Sequence, residues 1–515
     1  MSDHAAEYIN QVVPDYKGNP LIEALPPIWS SSEVVDMLSY SEGQHDDERQ
    51  LGAHHRFHCV LGLFQYYQPL REHVEIERHL SMCIRQGYLH RSPLSPEYAG
   101  SLAQGHEALK SRRDYTHLKP FRPTSAGFTI IGLSGVGKTS AVTNILSLYP
   151  QVIEHSSYRG SPLVLKQVVW LKLDCPHDGS VKGLCMGFFE AVDRAIGTNY
   201  FEANSKRGGA STIDVLMVRM AQAARLHCLG VLVIDEIQHL SLAKSGGSEK
   251  MLNFFVTLVN TIGIPVVLIG TSRAKPILQG DFRQARRSSG LGSIIWDRMK
   301  NDASWDLFVL SMWENQWVKN LVPLTDELKG ALYHESQGIV DIAVKLYAMV
   351  QIRAIALKRE TFAAPDIHAA ASECFWSVKP MLDALRSGDR KKIEAYGDIA
   401  PVDVEDYIMA YSAMLPPMDD MPRKREEISL SKKAVLMLLE LGVAPPTAKR
   451  LVGKVMAEHL GLKKAADVVR LAYQQYMLVS GPDEGSAEPS QAGDLRNAEG
   501  YADMAAADMV ETKEW

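Results

Sequence analysis

The residues from Gly132 to Thr139 read Gly-Leu-Ser-Gly-Val-Gly-Lys-Thr, a spacing of glycine, lysine and hydroxyl residues that suits phosphate binding. The glycines let the backbone curl so that successive N–H groups point into one cavity, and the start of the next helix adds partial positive charge. Lys138 can reach the outer phosphates, and Thr139 can coordinate Mg²⁺. The pattern predicts that ATP and Mg²⁺ are bound by Gly132, Leu133, Ser134, Gly135, Val136, Gly137, Lys138, Thr139 and Ser140.

Two acids, Asp235 and Glu236, end a second apolar run further along the chain. At a strand end, Asp235 would hold the water shell of Mg²⁺ opposite Thr139, and Glu236 would orient or polarise the attacking water. A buried strand that merely ends in acids at its solvent edge is the alternative. The phosphate-binding pattern upstream favours the catalytic interpretation, with Lys138 and Glu236 as catalytic residues.

Two more positions extend this prediction. Thr271 follows the apolar run Val266–Gly270 and would contact the γ-phosphate or the water, although Ser272 is a rival and such a threonine is often only a helix cap. Arg286 lies in a cationic cluster at 280–287 and could stabilise the charge on the γ-phosphate of a neighbouring subunit. A solvated basic helix face is the alternative for this cluster.

The elements that must position these residues follow from the hydrophobic pattern. Continuous apolar runs alternate with helical stretches, which predicts an α/β fold with a five-stranded parallel sheet buried on both faces. The predicted strands are 127–132, 167–174, 229–235, 264–270 and 306–310. The predicted helices are 70–87, 141–149, 326–334, 340–357 and 366–374, with a further helical region at 430–478.

These elements suggest five regions along the 515 residues. They are an N-terminal arm with a partly helical region (1–120), a nucleotide-binding domain (121–320), a small helical lid (321–400), a C-terminal helical region (401–480) and a disordered acidic tail (481–515). The tail carries nine acidic and two basic residues, so the rest of the chain is nearly neutral although the net charge is −6. Overall acidity therefore does not exclude DNA binding by the body of the protein.

Cysteine and histidine usage adds two weaker expectations. The six cysteines are scattered without a Cys-x-x-Cys pair, and the sequence contains neither a signal peptide nor a membrane span, so a reducing cytoplasm is expected. His54, His55 and His58 have spacing that would suit metal ligands on a helix, but no second cluster nearby completes a set of four.

The phosphate loop, the Asp-Glu strand end, the polar residue after the third strand and the arginine cluster, in this order, describe an oligomerising AAA+ ATPase. In more detail, the chain resembles the TnsC family, the AAA+ regulators of heteromeric transposons of the Tn-seven type. The resemblance runs from about 19 to 388. It rests on the segments 18–27, 132–139, 173–180, 232–240, 245–255, 285–290 and 380–388. Of these, Asp-Glu-Ile-Gln-His followed by Met-Leu-Asn-Phe-Phe is the most distinctive.

The resemblance implies a bacterial cytoplasmic protein that assembles with ATP as a ring or filament on double-stranded target DNA. Its partners would be a target-selector protein of the TnsD or TniQ type at the N-terminal region and transposase subunits of the TnsA and TnsB type at 401–480. The implied DNA contacts are Ser180, Lys182, Lys206, Arg207 and Thr212.

One feature departs from many AAA+ proteins, because the lid segment 336–341 lacks the arginine of a second nucleotide sensor and Lys345 is only a weak substitute. Two other functions stay open at this point. One is a helicase loader or DNA motor, and the other is a scaffold in which ATP holds a filament on DNA without being hydrolysed.

Overall fold

Strands of the described chain form two sheets, and the larger sheet carries the predicted phosphate loop. The structure is a computed structural model. It describes residues 4–39, 46–111, 127–205, 212–239, 263–274, 291–389, 392, 404–415, 430–441, 443–459, 462 and 464–479. The chain divides into two compact units, Met1–Leu415 and Pro416–Trp515. Within the described ranges, no helix has both the length and the apolar character needed to cross a membrane.

The larger sheet has five parallel strands in the order β5-β6-β7-β2-β8. They are β2 (Phe128–Gly132), β5 (Trp170–Asp174), β6 (Val231–Asp235), β7 (Val266–Gly270) and β8 (Gly292–Trp296). The predicted five-stranded parallel sheet is confirmed. Strand β7 lies between the strand before the phosphate loop and the strand that ends in Asp235, as the role predicted for Thr271 requires.

The prediction of a fifth strand at 306–310 is wrong. Residues 306–310 lie inside a helix, Ala303–Trp313, and the fifth strand is β8 instead. The side chain of Asp302 caps the helix by accepting a hydrogen bond from the Ser304 N–H at 2.9 Å. The helix is apolar on more than one face, so a short window of its sequence resembles a buried strand.

The predicted strand at 167–174 is also corrected, because it belongs to two sheets. Val168 ends β4 (Ser161–Val168), and Trp170 begins β5. Strand β4 pairs antiparallel with β3 (Val152–Tyr158), and β3 pairs in parallel with β1 (His4–Ala5) to form the smaller sheet. The apolar runs did not predict this smaller sheet.

Helices cover both faces of the larger sheet. Along β6, Val231 and Val233 pack into one core, while Leu232 and Ile234 pack into the other, so the strand is buried on both sides. The helices of this part are α1 (Pro20–Glu23), α2 (Ser31–Leu38), α3 (Ala53–Leu61), α4 (Arg71–Tyr88), α5 (Pro96–Ser111), α6 (Lys138–Ser147), α7 (Val181–Ile196), α8 (Tyr200–Ser205) and α9 (Ile213–Leu226). Helices α7 and α9 lie on one face, and α4 and α6 lie on the other.

The N-terminal sequence contributes to two cores. Helices α1, α2 and α4 pack with the sheet, where Leu21 and Ile22 are fully buried. Helix α3 packs instead with the lid through Phe57 and Val60. The chain therefore leaves the sheet core after α2, adds α3 to the lid core and returns to the sheet core in α4.

The lid consists of helices that pack around one long buried helix. They are α10 (Ala303–Trp313), α11 (Asp326–Ser336), α12 (Val340–Ala356), α13 (Ala364–Cys374), α14 (Lys379–Ser387) and α15 (Glu405–Ser412). The predicted lid helices are confirmed to within two residues at each end. Arg56 of α3 is buried here and pairs with both carboxylate oxygens of Glu360, each at 2.6 Å. This bidentate pair ties α3 to the lid.

The second unit, described by itself, is a small helical cluster. Helices α16 (Leu430–Glu440), α17 (Pro445–Glu458) and α18 (Ala465–Val479) pack around Leu438, Val455 and Val468. The helical region predicted at 430–478 is confirmed as these three helices.

Candidate functional site

The phosphate loop connects β2 to α6, and residues Ser134–Ser140 line an open cleft of about 340 Å³. Gly135 has a φ of +76°, and a side chain there would press against Ile339 and Asp341 of the lid. Lys138 is buried, and its ammonium group donates hydrogen bonds to the carbonyl oxygens of Leu133 at 2.6 Å and Gly132 at 3.3 Å. The loop thus holds Lys138 beside the cleft. The volume of the cleft lies within the range of small-ligand sites.

The two acids at the end of β6 have different surroundings. Asp235 is buried, and its Oδ1 accepts the N–H of Glu236 at 2.8 Å. Its Oδ2 makes no hydrogen bond among the described residues but lies 3.3 Å from Nζ of Lys172. Burial alone would lower the pKa of Lys172, but its hydrogen bond to Asp174 and the charge of Asp235 raise that pKa above its ordinary value. Lys172 therefore stays cationic and balances the buried Asp235.

Glu236 lines the cleft and is held by its neighbour Gln238. Its backbone is left-handed, with a φ of +55°, which is uncommon for a glutamate and turns the chain sharply after β6. The side-chain amide of Gln238 donates to Oε2 of Glu236, and its carbonyl oxygen accepts the N–H of Thr271 at 3.1 Å. Gln238 thus bridges the ends of β6 and β7.

Thr271 also lines the cleft, whereas Ser272 is not among the lining residues. The hydroxyl of Thr271 is buried and has no hydrogen-bond partner among the described residues. Gly270, just before it, leaves room for Gln238, since a side chain at Gly270 would lie 3.0 Å from Oε1 of Gln238 and 2.7 Å from Ile237. The structure therefore brings Lys138, Glu236 and Thr271 to one cleft.

One wall of the cleft comes from the N-terminal sequence, for which the hydrophobic pattern predicted only an arm and a partly helical region. Phe64, Tyr66, Tyr67, Gln68, Leu70 and His73 line it together with Phe308. Nδ1 of His73 accepts the N–H of Leu70 at 2.7 Å, and burial lowers the pKa of His73 to about 4, so the imidazole is neutral. The aromatic residues just before a helix were a signal for this wall, because a flat apolar surface suits a nucleobase.

The opposite wall is the first turn of lid helix α12. The N–H of Asp341 donates to the carbonyl oxygen of Gly135 at 3.0 Å, so the lid contacts the phosphate loop directly. Asp341 and Lys345 both line the cleft and form an ion pair at 2.9 Å. The start of α12 thus supplies a carboxylate and an ammonium group to the cleft.

Residues 124–278 match the family model for the AAA domain. This range holds the phosphate loop, Asp235, Glu236 and Thr271. The chain contains an AAA domain. With its five parallel strands, the fold is an AAA+ P-loop fold.

Solved structures similar to this chain have low identity to it. The Aeropyrum pernix Orc1 protein, solved in complex with DNA, is 15% identical, with a TM-score of 0.35 over 75% of this chain and 84% of that chain. Cdc6p from Pyrobaculum aerophilum is 14% identical, with a TM-score of 0.35 over 63% and 87%. A variant of RuvB from Thermotoga maritima is 12% identical, with a TM-score of 0.30 over 62% and 84%. None of the curated proteins matches the sequence.

The residues of the AAA domain fit a nucleoside triphosphate and its metal ion. The loop offers backbone N–H groups and Lys138 to the phosphates. Thr139 is exposed in the cleft, and Asp235 keeps one carboxylate oxygen without a hydrogen bond among the described residues. Asp235 is not among the residues that line the cleft, and this Oδ2 oxygen is the one that lies 3.3 Å from Nζ of Lys172.

The other predicted site residues lie elsewhere or outside the described residues. Arg286, Lys206 and Arg207 are outside the described ranges. Ser180 caps α7 by accepting the N–H of Gly183 at 3.0 Å, and Thr212 caps α9 by accepting the N–H of Val215 at 3.4 Å. Lys182 is exposed on the first turn of α7. Their roles in DNA binding stay predictions.

Gln238 is a positioning residue that the sequence pattern did not predict. Its replacement tests whether its hydrogen bonds to Glu236 and Thr271 support hydrolysis. We expect Gln238→Ala to lower kcat for ATP about tenfold, because one hydrogen bond that orients Glu236 is lost. The KM for ATP should change little, since Gln238 is not among the residues that line the cleft. Steady-state ATPase assays measure both constants.

Two further variants make this test specific. Gly270→Ala should lower kcat in the same way, since its new side chain displaces Gln238. Gln104→Ala, at an exposed position of α5, should behave as wild type. An unchanged kcat in Gln238→Ala would show that Glu236 needs no such support.

Proposed function

We propose that this protein is an ATP-dependent, DNA-binding, oligomeric regulator of DNA transposition that links target-site selection to transposase activation. ATP hydrolysis is its off switch. The observation that carries the hydrolytic part is the convergence of Lys138, Glu236 and Thr271 on one cleft. The regulatory part is supported by the resemblance of the segments around 18–27, 232–240 and 245–255 to the TnsC family.

In the proposed reaction, Lys138 contacts the β- and γ-phosphates. Thr139 and Asp235 would hold Mg²⁺, which would supply positive charge to the phosphate oxygens. Glu236, oriented by Gln238, accepts a proton from the attacking water. The buried hydroxyl of Thr271 donates to the γ-phosphate or positions the water. Asp235, Glu236 and Thr271 lie at or just after the carboxyl ends of β6 and β7, and Lys138 and Thr139 begin the helix that follows β2, at the edge where ligands of open parallel sheets bind.

The proposed partners follow from the same resemblance. Double-stranded target DNA would bind along the inner rim of a ring or filament, through Lys182 and the segment around Lys206 and Arg207. A target selector of the TnsD or TniQ type would bind the N-terminal region. Transposase subunits of the TnsA and TnsB type would bind the C-terminal helices.

Steady-state ATPase activity measured with and without duplex DNA, together with electron microscopy of the particles, tests this proposal. We expect ATP-dependent rings or filaments on duplex DNA, a change in turnover when DNA is added, and no strand separation. Strand unwinding would identify a motor instead. Assemblies that form with ATP but never hydrolyse it would identify a scaffold.

Arg286 is proposed to act across the subunit boundary. Arg286→Ala should keep ATP binding but lose DNA-stimulated turnover by a factor of about 10³, the effect expected for an arginine supplied in trans. A mixture of Arg286→Ala and Lys138→Ala subunits should recover part of the ATPase activity, because some subunit interfaces then contain both intact halves of the site. Wild-type turnover in Arg286→Ala would move the role to Arg287 or Arg283. If alanine variants of all three arginines kept wild-type turnover, the cluster would be only a solvated basic face.

A further inference from the structure

Two histidines and a glutamate meet on the outside of the lid, away from the residues that line the nucleotide cleft. His334 and Glu335 lie at the end of α11, and His368 lies on α13. Nδ1 of His368 is 2.7 Å from Oε1 of Glu335, and Nδ1 of His334 is 3.1 Å from the same oxygen. One ligand atom from each of the three residues lies within 4.8 Å of the others. The histidine pattern at 54–58 does not yield such a group within the described ranges.

The charges around this group leave the carboxylate of Glu335 available to a cation. Oε2 of Glu335 accepts a hydrogen bond from Arg386 at 2.6 Å, which fixes the orientation of the carboxylate. Arg386 is also paired with Asp383 at 2.6 Å, so its positive charge is already balanced. Oε1 of Glu335 faces the two imidazoles and is the carboxylate oxygen that an ion would contact.

The donor set selects the class of ion. Mg²⁺ and Ca²⁺ prefer oxygen ligands, whereas two imidazole nitrogens and one carboxylate oxygen suit Zn²⁺ and neighbouring transition metals. Ligand atoms around tetrahedral Zn²⁺ lie about 3.3 Å apart, given bond lengths of about 2.0 to 2.2 Å. The observed separations need small side-chain adjustments to reach that geometry. Both histidines are about half exposed, so an ion can enter and a water molecule can complete the coordination.

We propose that His334, Glu335 and His368 form a binding site for a divalent transition-metal ion, with Zn²⁺ the best fit. The ion takes the place of the hydrogen bonds that the two imidazoles make with the carboxylate of Glu335. It joins the end of α11 to α13.

Isothermal titration of ZnCl₂ into the full-length, nucleotide-free protein tests this site. The wild-type protein should bind Zn²⁺ at a site that His368→Gln and Glu335→Gln each weaken at least tenfold. Arg386→Ala removes the guanidinium that orients Glu335, together with its contacts to Asp383 and to the His334 carbonyl oxygen, and should weaken Zn²⁺ binding about tenfold. His90→Gln, at an exposed histidine elsewhere, should bind as wild type. Circular dichroism checks that all variants are folded.

A second measurement separates this site from binding to cysteines elsewhere in the chain. Co²⁺ bound by two nitrogens and oxygens gives visible absorption without the intense sulfur-to-metal band of thiolate sites, and the spectrum should vanish in His368→Gln. Added Zn²⁺ should also raise the melting temperature of the wild type more than that of His368→Gln. Equal Zn²⁺ affinity in wild type and ligand variants, or no binding by the wild type, would overturn the proposal.

Discussion

Replacing Lys138 with alanine should weaken ATP binding at least about 100-fold, because the loop loses the one ammonium group that its own carbonyl oxygens hold beside the phosphate position. ATP-dependent association with DNA should be lost with it. Titration with a fluorescent ATP analogue measures the first effect, and a DNA co-sedimentation assay with ATP measures the second.

Two control variants distinguish the loss of the phosphate contact from a loss of packing and from a general change of charge. Lys138→Met retains the apolar stem of the buried side chain and should fail in the same way as alanine. Lys379→Ala removes the same charge at an exposed lid position and should bind ATP normally. Unchanged ATP affinity in both Lys138 variants would place the phosphates elsewhere.

Replacing Glu236 with glutamine should leave ATP binding close to normal and slow turnover by a factor of about 10² to 10⁴. The amide oxygen can still accept the hydrogen bond from Gln238, so the side chain keeps its position, but it cannot take a proton from water. The variant should therefore persist on DNA with ATP bound. Single-turnover hydrolysis and the lifetime of the DNA complex measure the two effects.

Glu75→Gln provides the comparison for this variant, since it makes the same change at an exposed position of α4. It should hydrolyse ATP at the wild-type rate. If Glu236→Gln also turned over ATP normally, another base would have to act on the water, and hydrolysis as the off switch would need a different residue.

The sequence was sufficient for the parts of the site that are local in the chain. The phosphate loop is one continuous segment between a strand and a helix. Asp235 and Glu236 stand at the end of β6 (Val231–Asp235), whose first four positions are apolar. Burial on both faces produces such a continuous run, so these strands could be recognised without knowledge of their neighbours. The apolar runs did not specify the strand order that places β7 between β6 and β2.

The rest depended on contacts between distant segments. Strand β8 has only Ile294 and Trp296 buried, with Ile295 exposed, because it lies at the sheet edge and lacks a second buried face. Helix α10 is more uniformly apolar and was mistaken for it. The hydrogen bond between Gln238 and Thr271 joins the segments that follow β6 and β7, and the spacing of apolar residues cannot predict a contact of this kind.

The path of the N-terminal sequence has a consequence for deletion mapping. Because α3 belongs to the lid core and the following segment, Gly62–Leu70, lines the cleft, removing the first seventy or so residues would delete part of the lid and one cleft wall together. The bidentate contact of Glu360 with Arg56 would also be lost, leaving an unpaired carboxylate. A truncated chain that fails to bind a partner would therefore not locate the binding surface. Substitutions on exposed faces of α2 or α4 would do so, since they leave the nucleotide cleft whole.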